Sequence, residues 1–350
     1  MLYRKKNPHG GAAYEAGVEL DLSANTNPLG TPPAVLEAVR SALDRVRDYP
    51  DPYCRALTEA IAAHDGVRED RILCGNGAAE LIYAYAEAAR PKLAVELAPT
   101  FSEYALGLER AGCRMERYPL RRENGFLPDA GLMDFLEKTR PELLVLCSPN
   151  NPTGRLFPPD LLARILDLCR DTGCRLFLDE CFLDLSDGGV SLRDRLEEYP
   201  GLFLLKAFTK SYGMAGLRLG YCLTADTDLL AGMSEATQPW NVSVPAQTAG
   251  IAALGPERFL EEARAIIRLE RPALKAGLEE LGLWVCPSDA NYLLFRGPAD
   301  LGEKLLRRGV AVRDCGNYHG LGPGWYRTAV RLREENRRLL EAAARALREE

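Results

Sequence analysis

The sequence predicts an α/β fold in which a mostly parallel sheet is flanked by helices. Three observations predict it. Between residues 70 and 225, short apolar runs alternate with amphipathic stretches, which is the pattern of βα units. The apolar runs, such as Leu143–Cys147 and residues 202–205, have the length of buried strands. With 350 residues, the chain can also bury a sizeable core and form two lobes.

The elements follow in order. Residues 1–20 read as a flexible polar arm carrying His9-Gly10-Gly11, and a turn-rich segment, 21–30, follows with amides able to line a pocket. Pro32-Pro33 opens a helix through about Arg47, apolar at Val35, Leu36, Val39 and Leu43, and Tyr49-Pro50-Asp51-Pro52 ends it. A helix at 54–64 precedes a strand at 72–74. Gly75-Asn76-Gly77-Ala78-Ala79-Glu80 then turns into a helix reaching about Ala89, whose first free amides form an anion site. Strands are expected at 93–97, 114–118, 143–147 and 175–178, separated by helices starting at Pro99, Asp129 and Pro159. Strand 202–205 leads through Lys206–Leu217 to another strand expected at 218–223. Helices at 226–236, 243–254 and 256–281 come next. Strands at 290–295, 310–313 and 326–331, with helices at 301–308 and 334–348, complete the chain.

Composition narrows the function. A net charge of −6, with no basic block, argues against nucleic acid as the main partner. No apolar run approaches the ~18 residues of a membrane span, and residues 1–30 contain no signal-like core. The ten cysteines are scattered without a C-x-x-C pair, so no metal site is expected and free thiols in a reducing, cytoplasmic setting are.

Two charges interrupt this apolar framework. Lys210 lies on the link between two buried strands, where burial drives an amine towards the neutral, nucleophilic form. Taken alone, Lys210 is more simply a surface charge on a loop. Arg218, eight residues later, could grip a phosphate. An amine and an anion clamp at this spacing suit pyridoxal 5'-phosphate (PLP), a phosphorylated aldehyde. Asp179 ends an apolar strand and needs a positive partner, which a pyridinium N–H would be; a helix cap or ion pair is the plainer alternative.

In chain order, Gly75-Asn76-Gly77, Asn151-Pro152-Thr153-Gly154, Asp179, Lys210 and Arg218 resemble the aspartate-aminotransferase-like superfamily, the fold type I PLP enzymes. The resemblance covers essentially the whole chain. It implies a PLP-binding large domain at 45–245, with an N-terminal arm and the start of a small domain at 1–44 and a C-terminal small α+β domain at 246–350. It also implies a Schiff base on Lys210, Asp179 at the ring nitrogen, Asn151 at the phenolic oxygen and Tyr104 stacked on the ring. Phosphate would be held by Gly77, Ala78 and Arg218. The active site would be shared across a homodimer, with Tyr49 reaching the partner's phosphate. Ala207 stands where a Ser or Thr is usual, which leaves Thr209 as a substitute phosphate donor.

Two groups within the superfamily are similar to this sequence, the threonine-phosphate decarboxylases of cobalamin synthesis and the histidinol-phosphate aminotransferases. His9-Gly10-Gly11, Ser23-Ala24-Asn25, Asn317-Tyr318-x-Gly320-Leu321 and Phe182 look like the decarboxylases, whereas the aminotransferases carry Tyr at the Phe182 position. Ala12 and His319 depart from the decarboxylase pattern, which has Asn and Pro there. The expected reaction is decarboxylation of L-threonine O-3-phosphate, with transamination as the alternative. Arg327 matches the superfamily's carboxylate-binding arginine and, with Asn25, is expected to orient the substrate carboxylate; a dianionic phosphate needs several donors, for which Arg313, His9 and Tyr318 are the candidates. His64, on a helix face, is expected to be solvated. A PLP-sensing regulatory domain would need a DNA-binding module, for which residues 1–30 are too short.

Overall fold

The computed structural model describes residues 9–12, 14, 17–255 and 258–349. Strand β1 (Leu20–Asp21) precedes helices α1 (Pro33–Ala42) and α2 (Arg55–Asp65). Then come β2 (Ile72–Gly75), α3 (Ala78–Ala89), β3 (Leu93–Ala98), α4 (Glu103–Arg110), β4 (Arg114–Pro119), α5 (Gly131–Thr139), β5 (Leu143–Cys147), α6 (Pro159–Thr172) and β6 (Arg175–Asp179). Strand β7 (Leu202–Ala207), the single turn α7 (Phe208–Ser211) and β8 (Gly220–Thr224) follow, then α8 (Thr227–Ala236), α9 (Val244–Ala253) and α10 (Arg258–Glu280). The last elements are β9 (Trp284–Val285), β10 (Tyr292–Arg296), α11 (Leu301–Leu306), β11 (Val310–Ala311), β12 (Arg313–Asp314), β13 (Trp325–Ala329) and α12 (Arg333–Ala346).

Seven strands form the large sheet in the order β2-β8-β7-β6-β5-β3-β4, parallel from β7 through to β4, with β8 antiparallel to both neighbours. Side chains alternate between its faces because successive residues of a strand point to opposite sides. Leu144, Leu146, Leu176, Leu178, Leu202 and Leu204 enter one buried cluster; Val145, Cys147, Phe177, Phe203, Leu205 and Ala207 enter another. Both faces are therefore covered, which is why the strands read as unbroken apolar runs. A second, four-stranded antiparallel sheet, β12-β13-β10-β9, has its own core with α10, α11 and α12. The N-terminal strand β1 pairs in parallel with β11, so residue 20 lies beside residue 310.

Three local expectations need correction. The strand expected to begin at Arg218 begins at Gly220, and Arg218 itself lies in the preceding loop at φ +57°. The strand expected at 310–313 is split into β11 and β12, which pair with different partners. Residues 20–21, read as part of the arm and turn segment, form a strand. The arm residues 1–8 lie outside the described residues. All ten cysteines are free and buried. No described helix is long and apolar enough to cross a membrane.

Candidate active site

Strands β4 and β5 lie on opposite sides of β3, so the chain changes direction there, and the carboxyl ends around such a switch point form a crevice. A cavity of about 210 Å³ opens at those ends. Phe101 and Tyr104 reach it from beyond β3, Cys147 and Asn151 from β5, Asp179 from β6, and Ala207, Thr209 and Lys210 from β7 and α7. Ala78 and Ala79, the first residues of α3, close one side. Arg313, Tyr318 and Arg327 come from the second sheet and its loop, and His9, Gly10 and Ser23 from the N-terminal segment.

Asp179 is buried, and its carboxylate accepts hydrogen bonds from the Tyr104 hydroxyl and from the Cys181 amide, the latter at 2.8 Å. Burial raises its pKa, against the pull of those two donors and of Lys210. Lys210 is partly buried, and its Nζ lies 5.6 Å from the centre of the Phe182 ring. Its pKa is pushed down to about 8, first by loss of water and then by the charges of Arg327 and Arg218, while Cys181 and Asp179 pull the other way. Near neutral pH a usable fraction of this amine is therefore free base.

Arg327 and Arg313 sit opposite one another on paired strands β13 and β12, and both are buried. Arg327 donates to the Asn151 side chain and, at 2.8 Å, to the Ser23 carbonyl, while its Nε has no partner among the described residues. Arg313 donates to the Asp314 carbonyl and to Asn317 at 2.8 Å, with its guanidinium 5.2 Å from the Tyr318 ring centre. Among the described residues neither arginine lies within ion-pair distance of a carboxylate. Tyr318 donates to Asn151 at 3.2 Å. His9 meets Glu103 at 2.8 Å, and Glu103 also accepts from Tyr83.

The site's other predicted members are placed less directly. Gly77, at φ +82°, is where the chain turns into α3, and a Cβ there would meet the Arg218 guanidinium at 2.5 Å. Only glycine lets this turn and that arginine approach so closely. Arg218 is exposed in the single chain and borders the cavity. Asn25 is fully buried and both polar atoms of its side-chain amide lack a partner among the described residues, a condition that a polar ligand would relieve. Tyr49 lies outside this cavity, exposed and packed on Trp240 with ring centres 4.6 Å apart. Phe182 packs edge-on against Tyr292, whose hydroxyl donates to the Asn150 carbonyl at 2.9 Å.

A buried carboxylate, a lysine with a depressed pKa, a glycine-led helix start and two arginines with no carboxylate partner among the described residues converge on one crevice. A model of the family described as "Aminotransferase class I and II" matches residues 18–342. The chain belongs to that family. Its members are PLP-dependent, and the fold is fold type I. The threonine-phosphate decarboxylase of Salmonella typhimurium is 37% identical over 97% of this chain and 96% of its own length. The histidinol-phosphate aminotransferase of Symbiobacterium thermophilum is 36% identical over 94% and 90%. Among solved structures, the histidinol-phosphate aminotransferase of Clostridium acetobutylicum superposes with a TM-score of 0.85 at 26% identity, covering 93% of this chain and 98% of that one.

Sequence reasoning passed over Glu103, the partner of His9, and the backbone of Ser23, which anchors Arg327. It also passed over Cys181 and Cys147, which wall the crevice. Glu103 and Ser23 lie inside stretches already singled out, but nothing in the string distinguishes their contacts.

Proposed function

We propose that the protein decarboxylates L-threonine O-3-phosphate to (R)-1-amino-2-propanol O-2-phosphate and CO2, using PLP, as a cytoplasmic step in corrinoid biosynthesis. The observation that carries this reading is the pair Arg313 and Arg327, buried side by side without a carboxylate partner among the described residues. Cross-strand neighbours stand roughly 5 Å apart. That spacing suits one small substrate with two anionic groups a few bonds apart. Arg327, held by the carbonyl of Ser23 two residues before Asn25, takes the carboxylate together with the Asn25 amide; Arg313, Tyr318 and His9 take the phosphate.

The residues present fit PLP. The Ala78 amide at the start of α3, the Gly77 turn, Thr209 and Arg218 would offer donors for its phosphate; Asp179 would serve the ring nitrogen, Tyr104 the ring face and Asn151 the phenolic oxygen. Bound there, PLP supplies the electron sink into which the carboxylate's bonding pair is released. Lys210 would hold the cofactor through Nζ. Its freed amine then carries the proton that returns to Cα. Asp179 would set its carboxylate beside the ring nitrogen and so favour a proton there. Arg327 would grip the carboxylate and so orient the bond that breaks.

A homodimer sharing the site is part of this reading. Leu43, Val46, Tyr49, Tyr53 and Trp240 are exposed, an apolar surface that a second copy would cover. In such a dimer Tyr49 would serve the partner's phosphate.

Phe182 favours decarboxylation over transamination because it brings no hydroxyl towards the cofactor oxygen. The test is product analysis by mass spectrometry after incubating the PLP-loaded enzyme with L-threonine O-3-phosphate. Aminopropanol phosphate and CO2 are expected. Consumption of a keto acid with histidinol phosphate, without CO2, would replace this reading with transamination.

A further inference from the structure

The buried charge of Lys206, four residues before Lys210, has no part in the reaction above. Strand alternation places it on the face of the sheet opposite Ala207, so it points away from the crevice. Behind the sheet lies a second cavity of about 170 Å³, walled by Asp65, Asp184, Lys206, Tyr221 and Arg264 among others. His64, expected to be solvated, borders it and is partly buried. Lys206 Nζ lies 3.6 Å from Asp184 Oδ1 and 3.9 Å from Glu180 Oε2. Glu180 is held in turn by the Ser191 hydroxyl at 2.7 Å and the Leu192 amide at 3.0 Å. The other oxygen of Asp184 accepts the Ser211 hydroxyl at 2.7 Å, and its carbonyl accepts from Arg264 at 3.0 Å.

These contacts form one chain. It begins at Glu180, the residue after Asp179, crosses Lys206 and Asp184, and ends at Ser211, the residue after Lys210. The turn that carries Lys210 has only four residues, too few to hold itself in shape. Asn27 grips its backbone, donating to the Ser211 carbonyl at 2.8 Å and to the Lys210 carbonyl at 2.9 Å. From behind, the Asp184–Ser211 bond is its side-chain tether.

We propose that Asp184, acting through Ser211, is a positioning residue for Lys210, and that Glu180 and Lys206 lock this tether to the strand end bearing Asp179. The network sets the distance and angle between the two groups that contact the cofactor, from the face that the cofactor does not reach. Burial pulls the pKa of Lys206 down, but Asp184, Glu180 and Asp65 outweigh it and hold the value above the usual lysine range. The ammonium is thus a permanent link in the chain rather than a second reactive amine.

The inference rests on Lys210 being the PLP lysine, so borohydride reduction and peptide mapping of the wild type come first. The PLP-loaded protein is then titrated with acid and base while its visible absorbance is followed. The wild type is compared with Ser211→Ala, Asp184→Ala, Asp184→Asn and the Ser211→Ala/Asp184→Ala double variant. Each alanine variant is expected to move the midpoint by about half a unit or more. Each should also lower kcat about tenfold while leaving KM nearly unchanged. The double variant should match the single ones, because both remove one tether. Asp184→Asn keeps an oxygen for Ser211 and should lie nearer the wild-type midpoint than Asp184→Ala. Unmoved midpoints in Ser211→Ala, or additive effects in the double variant, overturn the inference while leaving the PLP reading intact. Should Asp184→Ala not fold, the same comparison is made between Ser211→Ala and Asp184→Asn. An adduct on another lysine overturns both.

Discussion

Lys206 and Lys210 are four residues apart, yet their surroundings drive them in opposite directions. Lys206 faces Glu180 and Asp184 behind the sheet and is held protonated. Lys210 faces the crevice, with Arg327 and Arg218 as its nearest cationic influences, and its pKa falls to about 8. Loss of water depresses both amines; the sign of the neighbouring charges decides the outcome. Burial alone therefore does not make a nucleophile. A lysine becomes one when its neighbours are cations and its one nearby carboxylate, here Asp179, is occupied elsewhere.

The largest effect expected from this contrast is reciprocal. Lys210→Ala should lower decarboxylation by about 10³-fold or more while leaving the fold intact. Lys206→Met should instead leave Glu180 buried without its cation and cost about 3–5 kcal/mol of stability, read from urea denaturation. Equal behaviour of the two variants in both assays would erase the distinction. Asp179→Asn comes next, with about a 10²-fold loss of kcat and a preserved thermal transition. Activity within a few-fold of wild type would make Asp179 a structural residue.

The two arginines sharpen the comparison on the substrate side. A hydrogen bond to a charged group contributes about 1.5–3 kcal/mol, so Arg313→Ala should reduce kcat/KM for threonine phosphate by at least about tenfold. Any activity on unphosphorylated threonine should barely change. Arg327→Ala should damage both substrates, since both present the carboxylate. Equal losses for Arg313→Ala on the two substrates would remove it from the phosphate subsite.

The smallest effect is on pH-dependent stability in the cofactor-free protein. A lysine whose folded pKa is lowered destabilises the fold below that value, where both states are protonated. The penalty is relieved as pH rises from about 8 towards the unfolded value, because only the unfolded chain still binds the proton. Lys210→Met should therefore be more stable than wild type at pH 7, and the gap should narrow above pH 8. A gap that is constant between pH 7 and 10 would mean the amine is not displaced in pKa.

Much of the architecture was legible because the large sheet is covered on both faces. Strand Leu143–Cys147 is a continuous apolar run, and Arg175–Asp179 is an apolar run bounded by the two charges at its ends. The two-residue strands Leu20–Asp21 and Trp284–Val285 were not legible, since so short a pairing leaves no periodicity in the chain. Lys210, Asp179 and Arg218 stood out because each is a charge bordering apolar sequence. The tether through Glu180, Asp184 and Ser211 did not, because it exists only where β6, β7 and the turn after β7 meet in space. Arg218 was misplaced onto a strand for a related reason: its left-handed backbone is imposed by the loop around it and leaves no mark on residue type.

The most direct test of the contrast between the two lysines is borohydride reduction of the protein loaded with PLP, followed by peptide mapping. The account predicts a single adduct, on Lys210, with Lys206 unmodified in the same digest. An adduct on Lys206, or on any lysine other than Lys210, would contradict it.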